Sequence, residues 1–198
     1  MDKEFTINTD SLHQAVDLMA GDFRHSEIFA LPKALPPSGM GSIAAMQALA
    51  PNILGGAARL GESTSFAHMD PPTPWITWAI SLWNTSLNQN LLHPATSPVA
   101  RDMEDRVVAW LAPFFGMNGG HITPGSTVAN LTALWSAREC AGITEVVASE
   151  GAHLSIAKAA HILGLTYRSV PIDANGAMDV SHLPDNLSKS ALVLTAGT

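Results

Sequence analysis

The stretch EVVASEGAHLSIAKAAHILGLTYRSVPI, residues 145–172, decides the fold. EVVAS (145–149) reads as a short strand. HLSIAKAAHILG (153–164) reads as a helix stopped by Gly164, and TYRSVPI (166–172) as a second strand. Downstream, MDVSHLPDNL (178–187) reads as a short helix or turn. ALVLTAGT (191–198) opens as a continuous apolar run, the kind that sits in a parallel sheet covered on both faces. The other reading of Ala191–Thr195 is an edge strand. Helices alternating with strands imply an α/β layer architecture.

Upstream of this stretch, GMNGGHITPGS (116–126) is a Gly-rich loop, and STVANLTALWSARECAG (126–142) is a helix ending at Gly142. Ser97-Pro98 predicts a helix start, with Ser97 at the N-cap and Pro98 at the first helical position. Val99, Met103, Val107, Trp110, Leu111 and Phe114 then recur at helical spacing, with Asp102, Glu104 and Asp105 on what reads as a solvated face. WITWAISLWNTSLNQN (75–90) predicts a helix with a wide apolar face, whose Trp residues suit core or dimer-interface packing. Earlier signals are weaker. Leu12, Ala15, Val16 and Met19 suggest one short helix, and residues 42–60 suggest another that Pro51 interrupts. LPKALPPSGMG (31–41) is a connector, and HMDPPTP (68–74) is too rich in Pro for a helix or a central strand. The expected division is an N-terminal helical and extended segment, 1–73, followed by a large domain, 74–198.

Composition narrows the function. Charged residues make up 14% of the chain, against about 25% in a typical soluble domain. So low a fraction predicts a surface partly covered by a partner subunit or by further chain. The net charge of -7 and the absence of a Lys/Arg cluster exclude a general nucleic-acid binder. A single cysteine, Cys140, cannot form an internal disulfide and reads as a small buried residue in a reducing compartment. MDKEFTINTD carries no secretory signal and no apolar stretch is long enough to span a membrane, so the expected location is cytoplasmic.

The loop Gly119–Asn130 is the best candidate site. A Gly-rich turn feeding a helix start presents free N–H groups and the positive end of the helix dipole. Ser126 and Thr127 add hydroxyls, and the combination suits a phosphate dianion. Ser126 also reads as a plain N-cap. His153 follows a strand and begins a helix, at the sheet edge where ligands of open α/β folds sit. From the residues alone the structural histidine is the favoured reading of it, and His161 reads as packing. No metal-ligand spacing is present, so no metal site is expected.

Taken in order, the blocks SPVARDMEDRVVAWLAPFFG (97–116), GGHITPGSTVANLTALWSAR (119–138), VVASEGAHLSIAKAAHILG (146–164), VPIDANGAMDVSHL (170–183) and LVLTAGT (192–198) resemble the pyridoxal-phosphate-dependent group II amino-acid decarboxylases. NQNLLHPATSP (88–98) resembles their bacterial members. The resemblance implies a fold-type-I transferase-like architecture with a mainly parallel sheet, pyridoxal 5'-phosphate as cofactor, a small-molecule amino-acid substrate and a homodimer. It also implies that Ser126 and Thr127 grip the cofactor phosphate, that His153 stacks on the pyridine ring, and that Thr195 lies close to the cofactor. In that family the Schiff-base Lys and the ring-nitrogen Asp follow the TAGT segment. Lys3, Lys33, Lys158 and Lys189 do not stand in the Lys context, so a truncated chain, or one completed by a C-terminal polypeptide, is expected. Arg101 stands where many relatives carry a small hydroxyl residue near the substrate. The rival expectations are a non-catalytic interaction module of the same fold and another fold-type-I lyase.

Overall fold

The computed structural model describes residues 6–23, 26–27, 29–66, 72–90 and 93–196. The opening MDKEF, residues 68–71 of the Pro-rich segment and the final Gly197-Thr198 lie outside the described residues. The chain forms two units, Met1–Leu87 and Asn88–Thr198.

In the first unit, α1 (Thr9–Met19) starts at Asn8, whose side chain accepts the Ser11 N–H. Helix α2 (Ser42–Ala50) runs into a wider π-turn, Pro51–Gly55. The Asn52 amide there holds the Phe29 backbone at both ends, accepting its N–H at 2.8 Å and donating to its C=O at 3.0 Å. Helix α3 (Trp75–Leu87) follows. Its Trp75, Trp78 and Trp83 are exposed, so they are not core residues of this chain.

The second unit begins with α4 (Ala100–Leu111), which passes into a 3-10 turn, Ala112–Phe115. Ser97 does not cap α4. The helix begins at Ala100, its first bond runs from Met103 N–H to Val99 C=O, and Val99 is the N-cap. The Ser97 hydroxyl is instead buried, with no hydrogen-bond partner among the described residues. Helix α5 (Ser126–Ala141) ends at Gly142 in the left-handed region (φ 61°) and is followed closely by β1 (Glu145–Ser149). Helix α6 (Leu154–Ile162) carries the chain to β2 (Thr166–Val170), and a 3-10 turn (Val180–His182) precedes β3 (Ser190–Val193).

The three strands form a parallel sheet in the order β2-β1-β3, with Glu145 opposite Thr166 on one side and Ser190 on the other. Parallel neighbours require crossovers, and α6 is the β1–β2 crossover. Strand β1 is central, and Val146, Val147 and Ala148 are fully buried. Val146 and Ala148 pack with Leu134 of α5 and with Ile156, Ala159 and Ala160 of α6. Strand β3 pairs only with β1 among the described residues and is half-buried, as the edge-strand reading expects. Residues beyond Val170 leave the sheet: Ile172 bridges Met178 across a tight turn at Asp173–Gly176.

Glu145 stitches the three strands together. One carboxylate oxygen accepts from Arg168 Nε of β2 at 2.8 Å, and the other from the Ser190 hydroxyl of β3 at 2.8 Å. The Ser190 hydroxyl and then the Arg168 guanidinium hold the Glu145 carboxyl below its usual range. A depressed carboxyl stabilises the fold above its unfolded value, about 4.3, and loses that contribution as pH falls through the lower folded value. Glu145→Gln is therefore expected to lower stability at neutral pH and to flatten the acid limb, read from urea midpoints against pH. Leu134→Ala, which empties a position between α5 and the sheet, is expected to cost about 2–5 kcal/mol in the same assay.

Candidate functional site

All strands of a parallel sheet end on one side, and the loops that leave them gather there. Ser149, Val170 and Val193 are those ends. His153 and Thr195 both lie just beyond this edge. Helix α5 finishes shortly before β1 begins, so its N-terminus points back toward the same edge. A direct bond between α5 and α6 fixes this arrangement, with Asn130 Nδ2 donating to Ser155 Oγ at 2.9 Å.

The N-terminus of α5 is an open donor cluster. Its first helical bond runs from Ala129 N–H to Gly125 C=O, which leaves the N–H groups of Ser126, Thr127 and Val128 pointing out of the helix end. Gly125 is the N-cap, at φ 151°, and no side chain caps the helix. Ser126 is thus the first helical residue and not the cap. No acidic residue stands in the first turn, and a Cβ on Gly125 would meet nothing within 4 Å. Two adjacent hydroxyls, several unpaired N–H groups and a positive dipole end form a donor set that fits a phosphate dianion.

The loop leading into this end is held from outside. Glu104 of α4 accepts the Ile122 N–H at 3.0 Å and pairs with His121 Nδ1 at 2.8 Å. Its side chain is only 13% exposed. Glu104 therefore leaves the solvated face expected for it, because an otherwise unpaired loop amide and a histidine both reach its carboxylate. Asp105, 69% exposed, does stay in solvent.

His153 is the N-cap of α6. Its Nδ1 accepts the Ser155 N–H at 3.2 Å and lies 2.8 Å from Ser155 Oγ. Thr195 lines a cleft of about 320 Å³ with Ser149, Leu194 and the turn Asn175–Met178. That volume is at the lower end of small-molecule sites. A second, polar depression of about 290 Å³ lies at the opposite edge of the sheet, between Thr144, Thr166 and Ser190, and holds none of these residues. Two further expectations are corrected. His161 and Cys140 are exposed and not packed inside, because each lies on the outer side of a helix whose other face covers the sheet. Among the described residues no three His, Cys, Asp or Glu side chains gather as a metal site, and no helix is long and apolar enough to cross a membrane.

The profile of the pyridoxal-dependent decarboxylase conserved domain matches residues 31–191. The chain belongs to this family, whose cofactor is pyridoxal phosphate. It is 34% identical over 185 residues to L-2,4-diaminobutyrate decarboxylase of Rhizobium meliloti, covering 83% of this chain and 37% of that protein. It is 36% identical over 118 residues to a "Probable L-tyrosine/L-aspartate decarboxylase" of Methanothermobacter thermautotrophicus, covering 57% of this chain and 32% of that protein. The chain thus spans about a third of the length of the curated relatives it matches. Among solved structures, Oryza sativa TDC with PLP and tryptamine superposes with a TM-score of 0.70 at 20% identity, over 89% of this chain and 47% of that one. That likeness establishes a fold-type-I architecture.

The Glu104 clamp is open to a direct measurement. Glu104→Ala is expected to speed amide hydrogen exchange at Ile122 about tenfold, the loss of one hydrogen bond to a charged acceptor. Glu104→Gln, which keeps an acceptor oxygen, is expected to fall between the two.

Proposed function

We propose that this chain forms the phosphate-gripping and ring-facing part of the cofactor site in a pyridoxal-phosphate-dependent amino-acid decarboxylase. The observation that carries the reading is the uncapped α5 N-terminus with Ser126 and Thr127 in its first turn, tied through Asn130 to the helix that begins at His153. Residues 74–198 are taken as the large domain and 1–73 as the N-terminal segment.

Each residue has a physical task in this reading. Ser126, Thr127 and the N–H groups beside them bind the phosphate and neutralise its charge without a lysine. His153 lays its imidazole on the cofactor ring and keeps the ring from tilting. Thr195, just beyond β3, orients the ring by its hydroxyl. Bound there, pyridoxal phosphate supplies an electron sink for the carbanion left when carbon dioxide departs.

None of Lys3, Lys33, Lys158 and Lys189 is the covalent anchor. The site is completed by further polypeptide carrying the Lys and the ring-nitrogen Asp, within a homodimer. An amino acid is the substrate, and Arg101 stands near it in place of a small hydroxyl residue. The cytoplasm is the compartment that suits its lone cysteine.

Binding of pyridoxal phosphate and of pyridoxal, which lacks the phosphate, tests the assignment by cofactor fluorescence. The phosphorylated form is expected to bind more tightly. Thr127→Ala and Ser126→Ala are each expected to weaken it about tenfold while leaving pyridoxal unchanged. Borohydride treatment is expected to leave no cofactor mass on Lys158 or Lys189. Equal binding of both compounds, or no binding of either, overturns the reading in favour of a non-catalytic module.

A further inference from the structure

The contacts around His153 specify more than its location. A backbone N–H can only donate a hydrogen bond, so the Ser155 N–H at 3.2 Å requires a lone pair on His153 Nδ1. In a neutral imidazole the proton then sits on Nε2. Ser155 Oγ lies 2.8 Å from the same lone pair, and it is favourably placed only if its hydroxyl donates there. That leaves the oxygen's own lone pairs to accept, and Asn130 Nδ2 donates to it at 2.9 Å. Every donor in the chain Asn130 to Ser155 to His153 therefore points the same way. The opposite tautomer would set Nδ1–H against the Ser155 N–H and leave the hydroxyl without an acceptor in that direction.

The surroundings favour a fixed arrangement. Ser155 is 4% exposed, so its hydroxyl has little water to turn toward. Asn130 stands four residues after Ser126, one turn into α5, so its amide ties His153 to the helix whose first turn carries Ser126 and Thr127.

We propose that Asn130 and Ser155 are positioning residues, which hold His153 as the neutral Nε2–H tautomer and fix its ring relative to the α5 N-terminus. This rests on the reading of His153 as the ring-facing group. Its consequence is that the spacing between phosphate grip and ring contact is set by a side-chain hydrogen-bond chain. The Ser155 N–H selects the tautomer, and the hydroxyl chain adds the bonds that fix the ring relative to α5.

The test uses the full chain labelled with 15N-histidine. Long-range 1H–15N correlation spectra are recorded without cofactor, with His153→Ala identifying the signal. The expected spectrum has Nδ1 in the lone-pair range and Nε2 in the protonated range. Ser155→Ala removes the hydroxyl donor. Asn130→Asp, nearly the same in shape, offers the hydroxyl a carboxylate acceptor and draws it away from Nδ1. Both are expected to shift the His153 Nδ1 signal, because one of its two donors is lost while the Ser155 N–H keeps the tautomer, and to give about fivefold weaker pyridoxal phosphate binding, the scale of one hydrogen bond. Circular dichroism checks that each variant is folded.

A wild-type spectrum with Nδ1 protonated, or variant spectra identical to wild type, overturns the proposal. His153→Ala separates the two levels. If it weakens cofactor binding while the Asn130 and Ser155 variants change nothing, positioning alone fails. If it leaves binding unchanged, the ring-facing reading fails and takes this role with it.

Discussion

Three parallel strands cannot be joined by hairpins, and the placement of every residue with chemistry follows from that constraint. The chain must return across the sheet after each strand, so the strand ends share one edge and helix starts gather beside it. Burial enforces the arrangement. Val146, Val147 and Ala148 are fully buried on β1, and the helices α5 and α6 cover the Val146–Ala148 face through Leu134, Ile156, Ala159 and Ala160. Once β1 is central and α5 and α6 pack on it, the first turns of both helices have no other place to go.

Polar contacts then set the details that apolar packing leaves open. Glu145 ties both outer strands to the central one from the edge opposite the site. Arg138 near the end of α5 donates to the Leu163 carbonyl at 2.8 Å, closing the far ends of the helix pair, while Asn130 and Ser155 close the near ends. Helix α5 is thus bonded to the α6 segment at two points along its length. Glu104, from a different helix, restrains the loop before it.

Helices α3 and α4 are of another kind. Trp75, Trp78, Trp83, Met103, Trp110 and Phe114 all remain exposed, and these segments have apolar stripes without a core to fill. The low share of charged residues is the compositional side of the same fact. Helical spacing of apolar residues reports that one face avoids water. It carries no information about what covers that face, which is why the Trp stripe of α3 reads equally well as core or interface.

Read alone, the residues specified the order of the elements from Ser126 to Val193 and most of their bounds, although β2 ends at Val170 and not at Ile172. Gly142 and Gly164 mark helix ends that require positive φ, and EVVAS has the short buried pattern of an inner strand. They also raised Ser126, Thr127 and His153 as candidates, and the family resemblance added Thr195. Other features belong to the tertiary structure. Ser97 lost its expected cap because the helix starts beyond Val99 and leaves the hydroxyl buried, and Glu104 left its solvated face because a loop amide reached it. Asn130 and Ser155 gave no signal beyond their nearness to the candidates, since a hydrogen bond between residues 25 apart depends on how two helices dock. Local sequence determines backbone preference and which face is apolar. Which polar atoms meet is decided only when those faces pack, because a hydrogen bond is won or lost within a few tenths of an ångström.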